Sequence, residues 1–375
     1  MSEVPSPLRS GSASPAARWG APLCLLAVVA VTDLVIGDRL HVLPVMAAVP
    51  VLAAALNGVG VTAALAGAAT ATTALVQLVQ GRWSTETGDV TILTLVVVSL
   101  AGLPACSVRC RRERRSRQAQ SVADTARQAA LRPLPRRMGT VHMCATYVPA
   151  RSEGTGGGDF YEALHTPYGV RVLVGDIQGK GLSAVAASAT LLGSFREAAH
   201  EEECLADVCN RLETSATRQI RALRDEPFSE RYATAVLVEL PHDEPVARVI
   251  HCGQPEPLRV RGDKVSAHTP SAPGAPIGLA RLVGAEPVTQ TIEFRPGDRL
   301  LLYTNGFIEA RDRGGRHHDL GAHAHARSAE PLEDMVRGLR GDLLRHSEGG
   351  PADDGALVVL EQHTGPHRAS YPWSR

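Results

Sequence analysis

The sequence predicts an α+β fold, an antiparallel β-sandwich flanked by helices, preceded by an α-helical transmembrane region. Three observations predict it. Residues 1–108 hold only nine charged residues of a chain with 39 acidic and 39 basic ones. After residue 136 the strand-like segments come in runs and the helical ones are grouped, which disfavours an alternating parallel α/β sheet. Acidic residues stand where predicted strands end, beside glycines.

The membrane region is read first. A hydrocarbon core of about 30 Å needs roughly 20 apolar residues per helix. No formal charge lies between Arg39 and Arg82, which leaves room for two spans at about 42–57 and 60–79. Trp19–Ile36, interrupted only by Asp33, and Val90–Val108 bring the expectation to about four spans in 19–108, behind a disordered segment 1–18. Three further apolar segments after the first argue against a cleaved signal peptide. Six arginines lie between Arg109 and Arg117, directly after the last span. Arg-rich short segments stay cytoplasmic, so both termini are expected there, in a bacterial inner membrane. Asp33 is expected near the outer end of its span, beside Asp38 and Arg39.

Residues 109–135 are polar and Arg-, Gln- and Ala-rich, as expected of a basic helical linker, which is also a candidate homodimer contact. The soluble domain, 136–362, opens with strands at Val141–Tyr147, Phe160–Leu164 and Val170–Val174 around a glycine-rich loop, Gly154–Gly158. Helices Leu182–His200 and Leu205–Leu223 follow, then strands Tyr232–Leu240, Val246–Cys252, Leu258–Arg261, Thr291–Phe294 and Arg299–Thr304. A helix near Leu332–Leu344 and a last strand, Ala356–Glu361, complete it, and 363–375 reads as a disordered tail.

Composition excludes several classes. The balanced charge supplies no global field for nucleic acid, and none is expected as a partner. Seven cysteines at scattered spacings form no zinc knuckle and read as free thiols. The membrane segments hold too few charged and aromatic residues for a transport pathway. His317, His318, His323 and His325 fall in a Gly- and Arg-rich segment and read as a solvated loop rather than a zinc site.

The chemistry lies elsewhere. Asp159 sits in Gly-Gly-Gly-Asp-Phe-Tyr-Glu, Asp176 in Val-Gly-Asp-Ile-Gln-Gly-Lys-Gly, Asn305 in Leu-Tyr-Thr-Asn-Gly, and Asp353-Asp354 precede Gly-Ala-Leu-Val-Val-Leu. Hard divalent cations take oxygen ligands, and strand ends hold carboxylates on rigid backbone. Each motif alone is also an ordinary turn.

In order and context, with Tyr-Ala-Thr-Ala-Val-Leu-Val-Glu, Cys-Gly-Gln-Pro-Glu-Pro-Leu and Pro-Gly-Asp-Arg-Leu-Leu-Leu-Tyr-Thr-Asn-Gly, residues 136–362 resemble the metal-dependent PPM-type Ser/Thr protein phosphatases of the SpoIIE-like branch. Multi-span actinobacterial members are familiar in that branch. The resemblance implies two Mn²⁺ or Mg²⁺ ions, with Asp176 bridging them and the Ile177 carbonyl and Asp159 on one ion. Asp353 would hold the other, helped by Asn305, and Lys180 or the helix N-terminus behind it would contact phosphate. It implies attack of a metal-polarised water on phosphoserine or phosphothreonine, the substrate being a phosphoprotein such as a STAS-domain anti-sigma-factor antagonist.

Three positions depart from the family pattern: Asn305 replaces an Asp, Gln254 a His, and Gly355 a larger residue. Asn305 leaves two readings open, a phosphatase and a catalytically impaired, membrane-tethered binding module.

Overall fold

The structure, a computed structural model, describes residues 15–36, 42–81, 86–130, 133–151, 158–179, 181–222, 232–272 and 274–364. Two compact units divide the chain, Met1–Ser116 and Arg117–Arg375. Of the two segments expected to be disordered, 1–14 and 365–375 lie outside the described residues, and the expectation is corrected for 15–18, which are helical.

The first unit is helical. It contains α1 (Pro15–Ile36), a 3-10 turn Leu43–Ala47 leading into α2 (Ala48–Leu56), α3 (Val59–Val79) and the part of α4 (Glu86–Ala130) up to Ser116. Among the described residues three helices are long and apolar enough to cross a membrane, Trp19–Ile36, Val59–Val79 and Asp89–Arg115. The remaining expected span is the shorter apolar stretch Leu43–Leu56. Pro44 opens it as a 3-10 turn, and Asn57 ends it in extended backbone before Gly58. The last apolar segment and the basic linker form one 45-residue helix, α4.

Several polar groups inside this unit are hydrogen-bonded. Asp33 is buried, and its Oδ1 accepts from the Val42 amide at 3.1 Å. The Gln80 carboxamide donates to the Asp33 carbonyl at 2.8 Å. Arg109 donates to the Asn57 carbonyl at 2.6 Å.

The second unit is a sandwich of two antiparallel sheets. Its strands are β1 (Arg137–Met138), β2 (Val141–Val148), β3 (Phe160–Thr166), β4 (Gly169–Ile177), β5 (Ala233–Leu240), β6 (Val246–Cys252), β7 (Leu258–Arg261), β8 (Lys264–Ala267), β9 (Thr289–Glu293), β10 (Arg299–Tyr303) and β11 (Gly355–Gln362). One sheet runs β1-β2-β11-β10-β7-β8 and the other β3-β4-β5-β6-β9. Helices α5 (Leu182–Glu201) and α6 (Leu205–Ala222) cover the five-stranded sheet, and α8 (Leu320–Ala326) and α9 (Leu332–His346) cover the six-stranded one; α7 (Ala280–Val283) is a short exposed turn of helix.

Three apolar cores separate these layers. Val172, Val174, Val236 and Val238 meet Leu300, Leu302, Val358 and Leu360 between the sheets. Leu173, Leu237 and Ile250 face the other way, onto Leu192, Phe195 and Leu212 of α5 and α6. Strands buried on both faces explain why their sequences are almost continuously apolar.

Arg171 interrupts one such strand and is fully buried. Its Nε donates to Glu239 Oε2 on β5 at 2.8 Å, and its guanidinium also donates to the carbonyls of Ala199 (2.9 Å) and Glu203 (2.6 Å). One side chain thus ties the sheet to the C-terminal end of α5, whose carbonyls have no partner within the helix. All seven cysteines are free, and Cys209 and Cys252 approach to 3.5 Å between their sulfurs.

The solvated loop expected for the histidine segment is corrected: residues 320–326 are helix α8, and His318 is buried. Asp319 caps α8, its Oδ1 accepting from the Ala322 amide at 2.9 Å, while Leu320 and Ala324 enter the outer core.

Candidate metal centre

Strand register brings the first two predicted residues together. Phe160 pairs with Gly175 across β3 and β4, so Asp159, one residue before, lies opposite Asp176, one residue after. Phe160 points into the helix-side core, which turns Asp159 and Asp176 to the opposite face, toward the other sheet. Asp176 follows Val174 at the strand period of two, and Val174 belongs to the core between the sheets. The two carboxylates therefore crown that core.

The other sheet supplies the facing wall. Leu300 and Leu302 point inward, and so does Thr304 after the end of β10. Thr304 is buried, donates its hydroxyl to Asp159 Oδ2 at 2.7 Å and accepts from the Ala356 amide at 2.9 Å. Asn305 follows as the first residue of a 3-10 turn, Asn305–Phe307, with its side chain exposed.

The closing Asp-Asp pair divides its work. Asp353 is exposed and its Oδ1 accepts from the Asp354 amide at 3.0 Å. Asp354 is buried, and its Oδ1 accepts from the Ala150 amide at 2.6 Å, which fixes the approach to β11 against the end of β2.

Two glycines permit the close backbone approach. A Cβ on Gly158 would stand 2.4 Å from the Ile177 carbonyl oxygen, and one on Gly306 would stand 2.0 Å from that of Asp354. Ile177 is buried, with its amide donating to the Gly158 carbonyl at 3.2 Å. Of the positions departing from the family pattern, Gln254 is buried and donates to the Tyr303 carbonyl at 3.2 Å, and Gly355 lies against the Phe307 ring. Lys180 lies outside the described residues, as do 152–157 of the glycine-rich loop.

The electrostatics are those of crowded carboxylates. Burial, followed by the charge of Asp176, pushes Asp159 well above the usual carboxylate range, against the Thr304 hydrogen bond that favours ionisation. Burial, then Asp353 and Asp354, pushes Asp176 up to about 7, opposed by its hydrogen bonds to Asp159 and the Ile177 amide. Among the described residues no three His, Cys, Asp or Glu side chains already close on one metal position. The donor set nonetheless suits a hard divalent cation, because two of its implied members are a carbonyl and a carboxamide and the remainder are carboxylates that repel one another.

Thr304 is the member that sequence reasoning missed, and Asp354, named only as half of a pair, takes an anchoring role that the sequence does not show. The Tyr-Thr-Asn-Gly motif was visible, but nothing local shows that the hydroxyl reaches a carboxylate 145 positions away.

Comparison with known proteins agrees with this geometry. The SiaA-PP2C domain of Pseudomonas aeruginosa superposes with a TM-score of 0.55 at 16% identity, over 68% of this chain and 99% of that one. The RsbU and RsbW domains of a Mycobacterium tuberculosis protein superpose with a TM-score of 0.50 at 23% identity, over 60% of this chain and only 60% of that one. At these identities the likeness is one of fold. No curated protein matches the chain in sequence. The profile of Stage II sporulation protein E (SpoIIE) matches residues 166–363, a stretch that includes Asp176, Ile177, Asn305 and Asp353. With that match over more than half its length, and with the sandwich of the PPM phosphatases, the chain belongs to the SpoIIE family.

Proposed function

We propose that this protein is a membrane-anchored, metal-dependent phosphatase that hydrolyses phosphoserine or phosphothreonine in a cytoplasmic regulatory protein. The supporting observation is the Asp159–Asp176 pair at the end of the sandwich, within the field of Asp353 and Asp354, with both pKa values raised. Carboxylates held together against their own repulsion at a solvent-facing rim are arranged for a cation.

Asp159, Asp176, Asp353, the Ile177 carbonyl and Asn305 would hold two Mn²⁺ or Mg²⁺ ions. Such ions polarise a water for attack at phosphorus and neutralise charge on the phosphoryl oxygens. Thr304 orients Asp159, Asp354 anchors the strand end that carries Asp353, and Lys180 would steady the substrate phosphate. In the proposed division, residues 19–108 anchor the protein in the bacterial inner membrane, 109–135 link and 136–362 catalyse, with the Arg109–Arg117 cluster keeping the catalytic domain cytoplasmic. In this reading the substrate is a phosphorylated STAS-domain partner, as the family resemblance of residues 136–362 implies.

A second reading, a binding module without catalysis, is favoured by Asn305 alone, which contributes a neutral oxygen where the family pattern has an Asp. Mn²⁺-dependent hydrolysis of p-nitrophenyl phosphate and a phosphoserine peptide separates the two. Activity that Asp176→Asn abolishes supports the phosphatase. Silence in the parent with activity in Asn305→Asp supports the binding module.

A further inference from the structure

Two of the seven free cysteines meet where the helices pack on the five-stranded sheet, on the face opposite the carboxylates. The apolar face of α6 carries Leu205, Val208, Cys209 and Leu212 at helical spacing, and β6 turns Ile250 and Cys252 toward it at the strand period of two. Cys209 and Cys252 therefore pack side by side among apolar neighbours, with 3.5 Å between their sulfurs.

The fold fixes both positions. One turn beyond Cys209, Glu213 accepts from the amides of Gly278 at 2.5 Å and Arg281 at 3.3 Å, which holds α6 against the start of α7. Cys252 stands between His251, which pairs with Val236 on β5, and Gly253, which bridges Ala235. A disulfide has its sulfurs about 2.05 Å apart, so the pair has to close by about 1.5 Å, a shift on the scale of side-chain rotation.

Both cysteines line a cleft of about 320 Å³ with Asn210, Glu286 and Pro287, so the pair is reached by a reagent of nearly water size. The two thiols are not equivalent. The hydrogen bond between them, followed by burial, pushes the Cys252 thiol well above its ordinary range. Cys252 thus keeps its proton and donates it to Cys209. Cys209, the more exposed of the two, is the attacking sulfur.

We propose that Cys209 and Cys252 form a reversible disulfide on exposure to hydrogen peroxide. The Cys209 sulfur attacks one peroxide oxygen, the O–O bond breaks, and the departing oxygen takes the Cys209 proton and leaves as water. Cys209 is then a sulfenic acid. The Cys252 sulfur attacks the Cys209 sulfur, the S–O bond breaks, and the hydroxyl leaves with the Cys252 proton as a second water. Two thiols lose two electrons together, and one peroxide is reduced to two waters. A dithiol reverses the step by exchange. The bond joins α6 to the strand end that runs through Gly253 into Gln254, whose carboxamide donates to the Tyr303 carbonyl at 3.2 Å, beside Thr304. Oxidation thus fastens the helical layer to a segment that reaches the carboxylate site.

The test uses the full-length chain in detergent carrying Cys204→Ser at an exposed position, which leaves Cys209 as the one cysteine between Arg196 and Arg211. Residues 249–259 likewise hold Cys252 alone. After brief exposure to hydrogen peroxide, alkylation of free thiols in denaturant and tryptic digestion, mass spectrometry should find these two peptides joined, and apart after dithiothreitol. Cys252→Ser should instead leave Cys209 as a sulfenic acid that dimedone traps, and Cys209→Ser should leave Cys252 as an alkylated thiol. Recovery of both cysteines as alkylated thiols from the Cys204→Ser chain, or a disulfide from either one to another cysteine, overturns the pairing.

Discussion

Thr304 on one sheet donates its hydroxyl to Asp159 on the other across 2.7 Å, and this bond crosses the open end of the sandwich. The same oxygen accepts from the Ala356 amide, so one hydroxyl joins three segments that would carry the metal ligands. Thr304→Val keeps the shape but strands two buried polar groups. It should cost about 2 kcal/mol in denaturant unfolding and reduce phosphatase activity far more than Thr304→Ser, which restores the donor. Equal activity in the two variants would remove Thr304 from the site.

The raised pKa of Asp176 makes a prediction about pH. An unfolded Asp titrates near 4, while Asp176 in the fold is pushed up to about 7. Between those values the metal-free fold binds more protons than the unfolded chain, so its stability falls as pH rises from about 4 to about 7. In chelator the phosphatase unit should melt at a lower temperature at pH 8 than at pH 5.5. Asp176→Asn should flatten that dependence and stabilise the metal-free fold at pH 8 by roughly 1–3 kcal/mol while abolishing hydrolysis. A parent whose melting is indifferent to pH would contradict the crowding of charge at this site.

The proposed metal site makes a prediction at position 305. Asn305→Asp adds a formal charge at an exposed turn and leaves the backbone unchanged. The half-saturating Mn²⁺ concentration for activity should fall by about tenfold, an effect of about 1.4 kcal/mol. Titration of activity against Mn²⁺ reads this directly, and an unchanged midpoint would mean that residue 305 does not touch the ion.

Arg171 is a structural test case. Arg171→Ala leaves Glu239 buried with Arg248 as its one remaining cation among the described residues, and frees the carbonyls at the end of α5. The expected loss is about 3–5 kcal/mol. Arg171→Lys should recover little of it, because a single ammonium cannot reproduce the fork. Urea midpoints of the two variants decide the matter.

Membrane topology follows from α2. At about 2.0 Å per residue over the 3-10 turn and about 1.5 Å over α2, the stretch Leu43–Leu56 spans only about 24 Å, short of a bilayer core. Were only the three longer helices to cross, the N-terminus would lie on the side opposite the arginine cluster, against the expectation of both termini in the cytoplasm. A reporter fused before residue 15 should therefore be active outside the cytoplasm, and cytoplasmic activity would restore a fourth crossing.

Much of the sandwich was legible because its strands are apolar runs bounded by Gly and Pro, and α5, α6 and α9 because their apolar spacing follows the helix. What escaped was short or non-local. β8 is four half-exposed residues at a sheet edge, and α8 is one capped segment whose histidines read as polar. The shortness of the α2 stretch depended on where Pro44 and Asn57 break the helix, which hydropathy does not register. Asp353 and Asp354 look identical in sequence and differ only in what they face: solvent for one, the Ala150 amide for the other.

The glycines against Ile177 and Asp354 also bear on how such a protein can evolve. Gly158 and Gly306 are fixed by backbone contact, so nearly any codon change there damages the fold. Asn305 and Asp353 project from the surface, and a single nucleotide converts Asn to Asp or back. In the proposed site, natural selection can therefore switch hydrolysis off or on at position 305 without disturbing the architecture. Descendants that catalyse and descendants that only bind are then neighbours one mutation apart.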